Sequence, residues 1–220
     1  MPSSPLRMLI FVLALAFLVG FVQLGLITIA FDKLGLSPES AYQLMLCTLV
    51  GSMINLPLFT LAADSSVQPK MPAEMSRWPF FKPLPFTGKV TVAVNVGGAV
   101  VPVAFSLYLF AHNPLNPLQI IIAVAVVAII AHTSSRPLSG IGIGMPMLIA
   151  PIAAALIASI LDPLQRAPLA YIGGTLGVLI GADLLRLKDI RKLGAPIASI
   201  GGAGTFDGVF ITGLVAVLLA

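Results

Sequence analysis

The chain has 220 residues, of which 58% are hydrophobic and only 9% charged. A soluble domain carries about 25% charged residues, so no aqueous surface can be built from this composition, and the chain reads as an integral membrane protein. The formal charge of +4 falls in short loops between apolar runs and forms no basic face with interleaved aromatics, which argues against nucleic acid as a partner. Cys47 is the lone cysteine and the two histidines, His112 and His132, lie in separate loops. No intramolecular disulfide, metal site or other cofactor is expected.

Crossing the hydrocarbon core takes about 20 apolar residues. Seven runs qualify: 8–31, 40–62, 91–111, 115–131, 138–160, 168–187 and 197–220. They lack the alternation of an outer-membrane barrel, and backbone groups in lipid must be satisfied within the segment, so helices are predicted. The expected fold is all-α, a polytopic transmembrane helical bundle of about seven helices in one membrane domain spanning residues 1–220.

Arg7 ahead of the first apolar run resembles a secretory signal, but no small-x-small cleavage site closes the run, so an uncleaved first helix is the reading. Residues 63–90 are a long polar connection containing Pro69, Pro72, Pro79, Pro83 and Pro85 with Trp78, Phe80, Phe81 and Phe86. Proline blocks a long helix there, while aromatic and basic residues suit the headgroup zone, which gives a cytoplasmic interfacial loop. A lid over a substrate or partner is the alternative. The third run is interrupted at Asn95-Val-Gly-Gly98 and Pro102, and the fifth between Ser134 and Pro146. In the sixth, Gly173, Gly177 and Gly181 recur every fourth residue, the spacing of close helix packing. In the seventh, Pro196 is followed by Gly201, Gly202 and Gly204. Each glycine costs a helix about 1 kcal/mol relative to alanine, so this run should enter as extended chain and begin a shorter helix near Thr205. An aliphatic-Gly-Gly-small element recurs at Val96–Ala99, Ile172–Thr175 and Ile200–Ala203, too short to establish a repeat.

If the runs alternate, one side carries Arg7, Lys70, Arg77, Lys82, Lys89, Arg136, Arg186, Lys188, Arg191 and Lys192, and the other only Lys33 and Arg166. The asymmetry places the protein in the inner membrane with its N-terminus cytoplasmic and its C-terminus outside.

Carboxyls inside apolar segments are costly unless paired or used, which singles out Asp183 and Asp207 as candidate catalytic residues. Each has a structural alternative: Asp207 as a cap on the terminal half-helix, and Asp183 as a partner of Arg186 three residues on. Asp189, in a basic loop, reads as solvated. Two carboxyls sharing a wet niche cannot both ionise easily, so a dyad would hold one proton and could activate water or relay protons. Asn95, Arg136, Gly201, Gly202, Gly204 and Thr205 complete the candidate substrate-binding set: Asn95 as an amide donor, Arg136 as a cation that also suits a phospholipid headgroup, and the glycines with Thr205 as exposed backbone of a broken helix.

The runs Ser135–Ile143, Gly173–Leu185 and Leu193–Gly208 closely resemble the prokaryotic membrane family called domain of unknown function 1614. That resemblance implies a polytopic membrane protein and no established activity. Gly202-Ala-Gly204 ahead of Asp207 also resembles, more weakly, the Gly-x-Gly-Asp motif of presenilin-like and prepilin-type intramembrane aspartyl proteases, although Thr205 and Phe206 intervene. The Tyr-Asp and Pro-Ala-Leu motifs of the presenilin-like group are not recognisable: Asp183 follows Ala182, and Pro168-Leu-Ala170 is an approximate echo. What this resemblance implies is a hydrolase with Asp183 and Asp207 around a catalytic water and a membrane-embedded peptide as substrate. The alternatives are a small-molecule or ion transporter or channel with a broken-helix site, and a non-catalytic subunit or assembly factor of a membrane complex. Membrane lipid is a partner on every reading.

Overall fold

The computed structural model describes residues 20, 26–64, 88–138, 142–202 and 208–220. Helix α1 (Leu26–Lys33) leads through a turn with Gly35 at φ +73° to α2 (Pro38–Ser52). The second helix starts where the sequence supplies a stop and a start together: Ser37 accepts from the Ser40 N–H at 3.3 Å and Pro38 occupies the first helical position, where its missing N–H costs nothing. Strands β1 (Asn55–Ala62) and β2 (Lys89–Asn95) follow, and β2 runs directly into a π-helical turn, Val96–Val100, that continues as α3 (Val101–His112). Helix α4 (Pro117–Ser134) is again opened by an asparagine-proline pair, with the Asn116 side chain accepting from the Leu118 N–H at 2.9 Å. A small ribbon of β3 (Arg136–Leu138) and β4 (Gly142–Gly144) precedes α5 (Ile149–Leu161). Helix α6 (Arg166–Val178) ends in a second π-helical stretch, Leu179–Leu184, and a 3-10 turn, Asp189–Lys192. Strand β5 (Ile197–Ile200) and helix α7 (Gly208–Leu219) complete the described elements.

The all-α expectation is therefore corrected: the chain is mostly helical with a three-stranded sheet of order β1-β2-β5 and the β3-β4 ribbon. Strands β1 and β2 are antiparallel, from Asn55 opposite Asn95 to Ala62 opposite Lys89, and β2 and β5 are parallel, from Thr91 beside Ile197 to Val94 beside Ile200. The bulge in β1 falls between Pro57 and Phe59, on an edge strand where a residue without an N–H is tolerated. The run predicted as helix 40–62 is helix only to Ser52, and the runs 91–111, 138–160 and 197–220 each begin as strand. Length counts mistook them because an apolar strand followed by a helix is as hydrophobic as a continuous span. Among the described residues two helices are long and apolar enough to cross a membrane, Pro117–Ser134 and Arg166–Leu184. Most of the first predicted helix and the predicted loop between 65 and 87 lie outside the described residues.

Helix α6 is the axis of the core, with Leu169, Ala170 and Tyr171 wholly buried. Its glycines do what their spacing predicts. A Cβ on Gly173 would sit 3.1 Å from the Ala123 Cβ, one on Gly177 would sit 2.6 Å from the Val127 Cβ, and one on Gly181 would overlap the Ala128 carbonyl oxygen. Helix α4 thus lies along a stripe without side chains. The two ends of the bundle differ. One gathers the α1–α2 turn, Asn113, Gln165–Pro168 and Ala220 around an open depression of about 400 Å³. At the other end are the C-terminal ends of α4 and α6, tied together by Arg186.

Candidate functional site

Three interruptions of the helical pattern meet at the second end. The first is the change from β2 to helix at Asn95, whose side chain is 1% exposed. Its amide donates to the Ser52 carbonyl at 2.7 Å and to Asn55 Oδ1 at 3.1 Å, while its own Oδ1 accepts from the Gly98 N–H at 2.7 Å. This fixes the amide's orientation, because Ser52 offers only an acceptor and Gly98 only a donor. Asn95 therefore caps the π-helical turn and ties it to the end of α2. The second interruption is the turn after β5, where Gly201 and Gly202 have φ of +77° and +89°. Those values suit glycine and strain other residues. The third is the π-helical stretch that carries Asp183, a rare geometry that recurs at functional sites.

Glycine lets the three approach. A Cβ on Gly98 would overlap the Gly201 carbonyl oxygen, and one on Gly97 would overlap the backbone of Thr48 and Ser52. The Gly201 N–H donates to Asp183 Oδ2 at 2.6 Å, a short hydrogen bond. Ser199 donates to Asn55 Oδ1 at 2.5 Å, which joins β5 to the β1–β2 end of the cluster. Asp183, Gly201, Gly98, Asn95, Asn55 and Ser199 are thus one connected polar junction between the sheet and the bundle.

Of the residues singled out from sequence, Asp183, Asn95 and Gly201 are brought together here, with Gly202 half-buried beside them. Gly204, Thr205 and Asp207 lie outside the described residues, and with them the expected meeting of Asp183 with Asp207. Arg136 does not join the junction; it stands exposed on β3. Nor does Arg186 pair with Asp183 as considered above. Its guanidinium donates to the His132 and Ser135 carbonyls at 2.6 and 2.7 Å and forms an ion pair with Asp189 at 3.1 Å. It neutralises the carbonyl end of α4, where a cation is favoured. Asp189 is correspondingly no solvated bystander, since Lys192 also approaches it at 3.7 Å. Asn55 and Ser199 were missed. Their signal was weak: a single polar residue at a strand end, visible only once β1, β2 and β5 are known to pair. Among the described residues no group of three or more histidine, cysteine or carboxylate side chains could hold a metal ion.

The model of a protein family described as "Protein of unknown function (DUF1614)" matches residues 49–219. That is most of the chain, and the chain belongs to this family. No curated protein and no solved structure matches it.

Proposed function

We propose that this DUF1614 protein is a polytopic inner-membrane protein that moves a small solute or ion, and that its site is the junction around Asp183. The observation that carries the reading is the direct backbone contact of two chain breaks, at Gly98 and Gly201, beside a carboxylate in a π-helical stretch. Non-helical backbone within a membrane protein is stable where it lines a protein or wet cavity, and transporter sites are commonly built from discontinuous helices with backbone groups and one or two ionisable side chains. Asp183 would be the group that binds a cation or carries the coupled proton.

Residence in a bilayer is supported by the outer faces of α4 and α5. Ile121 and Ile129 are each 64% exposed and Ile160 74%, a pattern that suits lipid rather than water. The basic residues also separate by end: Lys33 and Arg166 line the depression, whereas Arg186, Lys188, Arg191 and Lys192 follow Asp183. The end with more cations would face the cytoplasm.

A second reading keeps the aspartyl hydrolase, because the Asp183 carboxylate is hydrogen-bonded to Gly201, six residues ahead of Asp207 in the chain. Reconstitution separates the two. Purified protein in proteoliposomes should dissipate an imposed ion or proton gradient, and Asp183→Asn should slow that flux by at least about a hundredfold if the carboxyl carries the proton. A wild type without flux that cleaves a membrane-embedded peptide, with cleavage lost in both Asp183→Asn and Asp207→Asn, would replace transport by hydrolysis.

A further inference from the structure

Two cavities of opposite character meet at the turn between α1 and α2. The open depression of about 400 Å³ is polar, with Lys33, Asn113, Gln165 and Arg166 among its lining residues. A second, apolar groove of about 90 Å³ lies between the two helices themselves and is lined by Phe31, Leu36, Ala41, Tyr42 and Met45. Asp32 lines both. Phe31, Ala41 and Met45 are buried and form the floor of the groove, whereas Thr28 and Tyr42 stand exposed at its rim.

The polar half carries charge of both signs. Lys33 Nζ donates to the Val217 and Leu218 carbonyls at 3.3 and 3.2 Å, the C-terminal end of α7, where a cation is favoured. An ammonium has three donors, so one is left for a ligand. Arg166 and Asp32 are exposed and, among the described residues, take part in no ion pair. A guanidinium presents a planar fork that matches a phosphate. A carboxylate beside these two cations offers the complementary group for an ammonium.

The groove runs the right way for the rest of an amphipathic ligand. Thr28 lies about 6 Å along α1 from Asp32, and Met45 about 10 Å along α2 from Pro38, so the apolar lining extends from the end of the bundle towards its middle. Tyr42, and Tyr108 near the end of α3, are both exposed at this end, and tyrosine in a membrane protein favours the headgroup level. We propose that the depression and the groove together bind one glycerophospholipid with a primary-amine headgroup, phosphatidylethanolamine. Lys33 and Arg166 hold its phosphate, Asp32 accepts from its ammonium, and one acyl chain lies against Phe31, Ala41 and Met45. The site rests on residence in a bilayer and stands apart from transport at Asp183.

The test uses the full chain purified in a neutral detergent, with lipid added back and binding read by native mass spectrometry and thermal melting. Phosphatidylethanolamine should be retained as a single adduct and should raise the melting temperature with concentration. Phosphatidylcholine, whose quaternary ammonium donates no hydrogen bond, and phosphatidylglycerol, which has no cation, should each bind at least about tenfold more weakly. Glycerophosphoethanolamine, the same headgroup without chains, should bind at least about a hundredfold more weakly, since it leaves the groove empty. Arg166→Gln and Asp32→Asn should each weaken phosphatidylethanolamine binding by about tenfold while leaving the lipid-free melting temperature unchanged, because neither side chain has an ion-pair partner to lose. Ala41→Leu, which fills the groove, should weaken it similarly. Equal binding of the three phospholipids, or unchanged binding in Asp32→Asn and Arg166→Gln, would overturn the headgroup site. Binding of glycerophosphoethanolamine as tight as that of the lipid would overturn the role of the groove and leave a site for a soluble zwitterion.

Discussion

At the scale of single residues, the junction depends on groups that cannot be exchanged for their nearest relatives. Asn95 satisfies three partners at once, so Asn95→Ala strands the Gly98 N–H and the Ser52 carbonyl in a buried place. A loss of roughly 3 kcal/mol is expected, from about 1–3 kcal/mol for each unsatisfied buried group. Gly98→Ala should be worse, above about 4 kcal/mol, because its methyl would meet backbone on the opposing chain rather than a side chain that could turn away. Urea or thermal unfolding in detergent orders the two; if Gly98→Ala proved the milder, the close approach of the two turns would be wrong. Asp183 and the glycines were legible in sequence because a carboxyl or a glycine cluster is conspicuous in an apolar run. Asn55 and Ser199 were not, because small polar residues acquire meaning only from what faces them.

The helix pair α4–α6 shows how the same residue type acts differently at successive turns. Gly173, Gly177 and Gly181 were read as one packing stripe, and all three lie against α4, but a methyl would meet a side chain at Ala123, a β-branched side chain at Val127 and a carbonyl at Ala128. Alanine in a helix gains about 1 kcal/mol over glycine, while overpacking costs about 1–3 kcal/mol. Gly173→Ala should therefore be close to neutral, Gly177→Ala destabilising by about 1–2 kcal/mol, and Gly181→Ala the most damaging. Val127→Gly, which removes the Cβ 2.6 Å away, should relieve Gly177→Ala, whereas Val127→Ala should relieve it only in part, and no side-chain change on α4 should relieve Gly181→Ala, since the obstacle is backbone. Thermal melts of the series and of the double variant measure this; an equal effect at all three sites would contradict the stated geometry. The caps at Ser37-Pro38 and Asn116-Pro117 are a local signal that counting apolar runs does not use, and the strands were hidden inside runs counted as spans. Lys89-Val-Thr-Val-Ala-Val-Asn95 in fact alternates with period two, with Val90 and Val92 buried. That local pattern outweighs total hydrophobicity when the two disagree.

For the whole molecule, a sheet set beside a helical bundle divides the chain into a part that can sit in hydrocarbon and a part that cannot. Edge strand β1 is exposed along most of its length, and the Asp64 N–H after it bonds to the Arg191 carbonyl in the basic turn. Exposed strand edges carry unpaired N–H and C=O groups, which lipid does not satisfy. On the proposed topology the sheet would lie on the cytoplasmic side with Lys188–Lys192, and the depression lined by Lys33 and Arg166 on the opposite side. Cysteine labelling reads this directly. In a Cys47→Ser background, Leu164→Cys lies at the rim of the depression and is almost wholly exposed. It should react with a membrane-impermeant maleimide in intact cells, whereas Lys188→Cys and Arg191→Cys should react only after the membrane is opened or inverted. Labelling of Leu164→Cys and Lys188→Cys from the same side would put both ends of α6 in one compartment. That would remove the membrane crossing on which the transport reading depends.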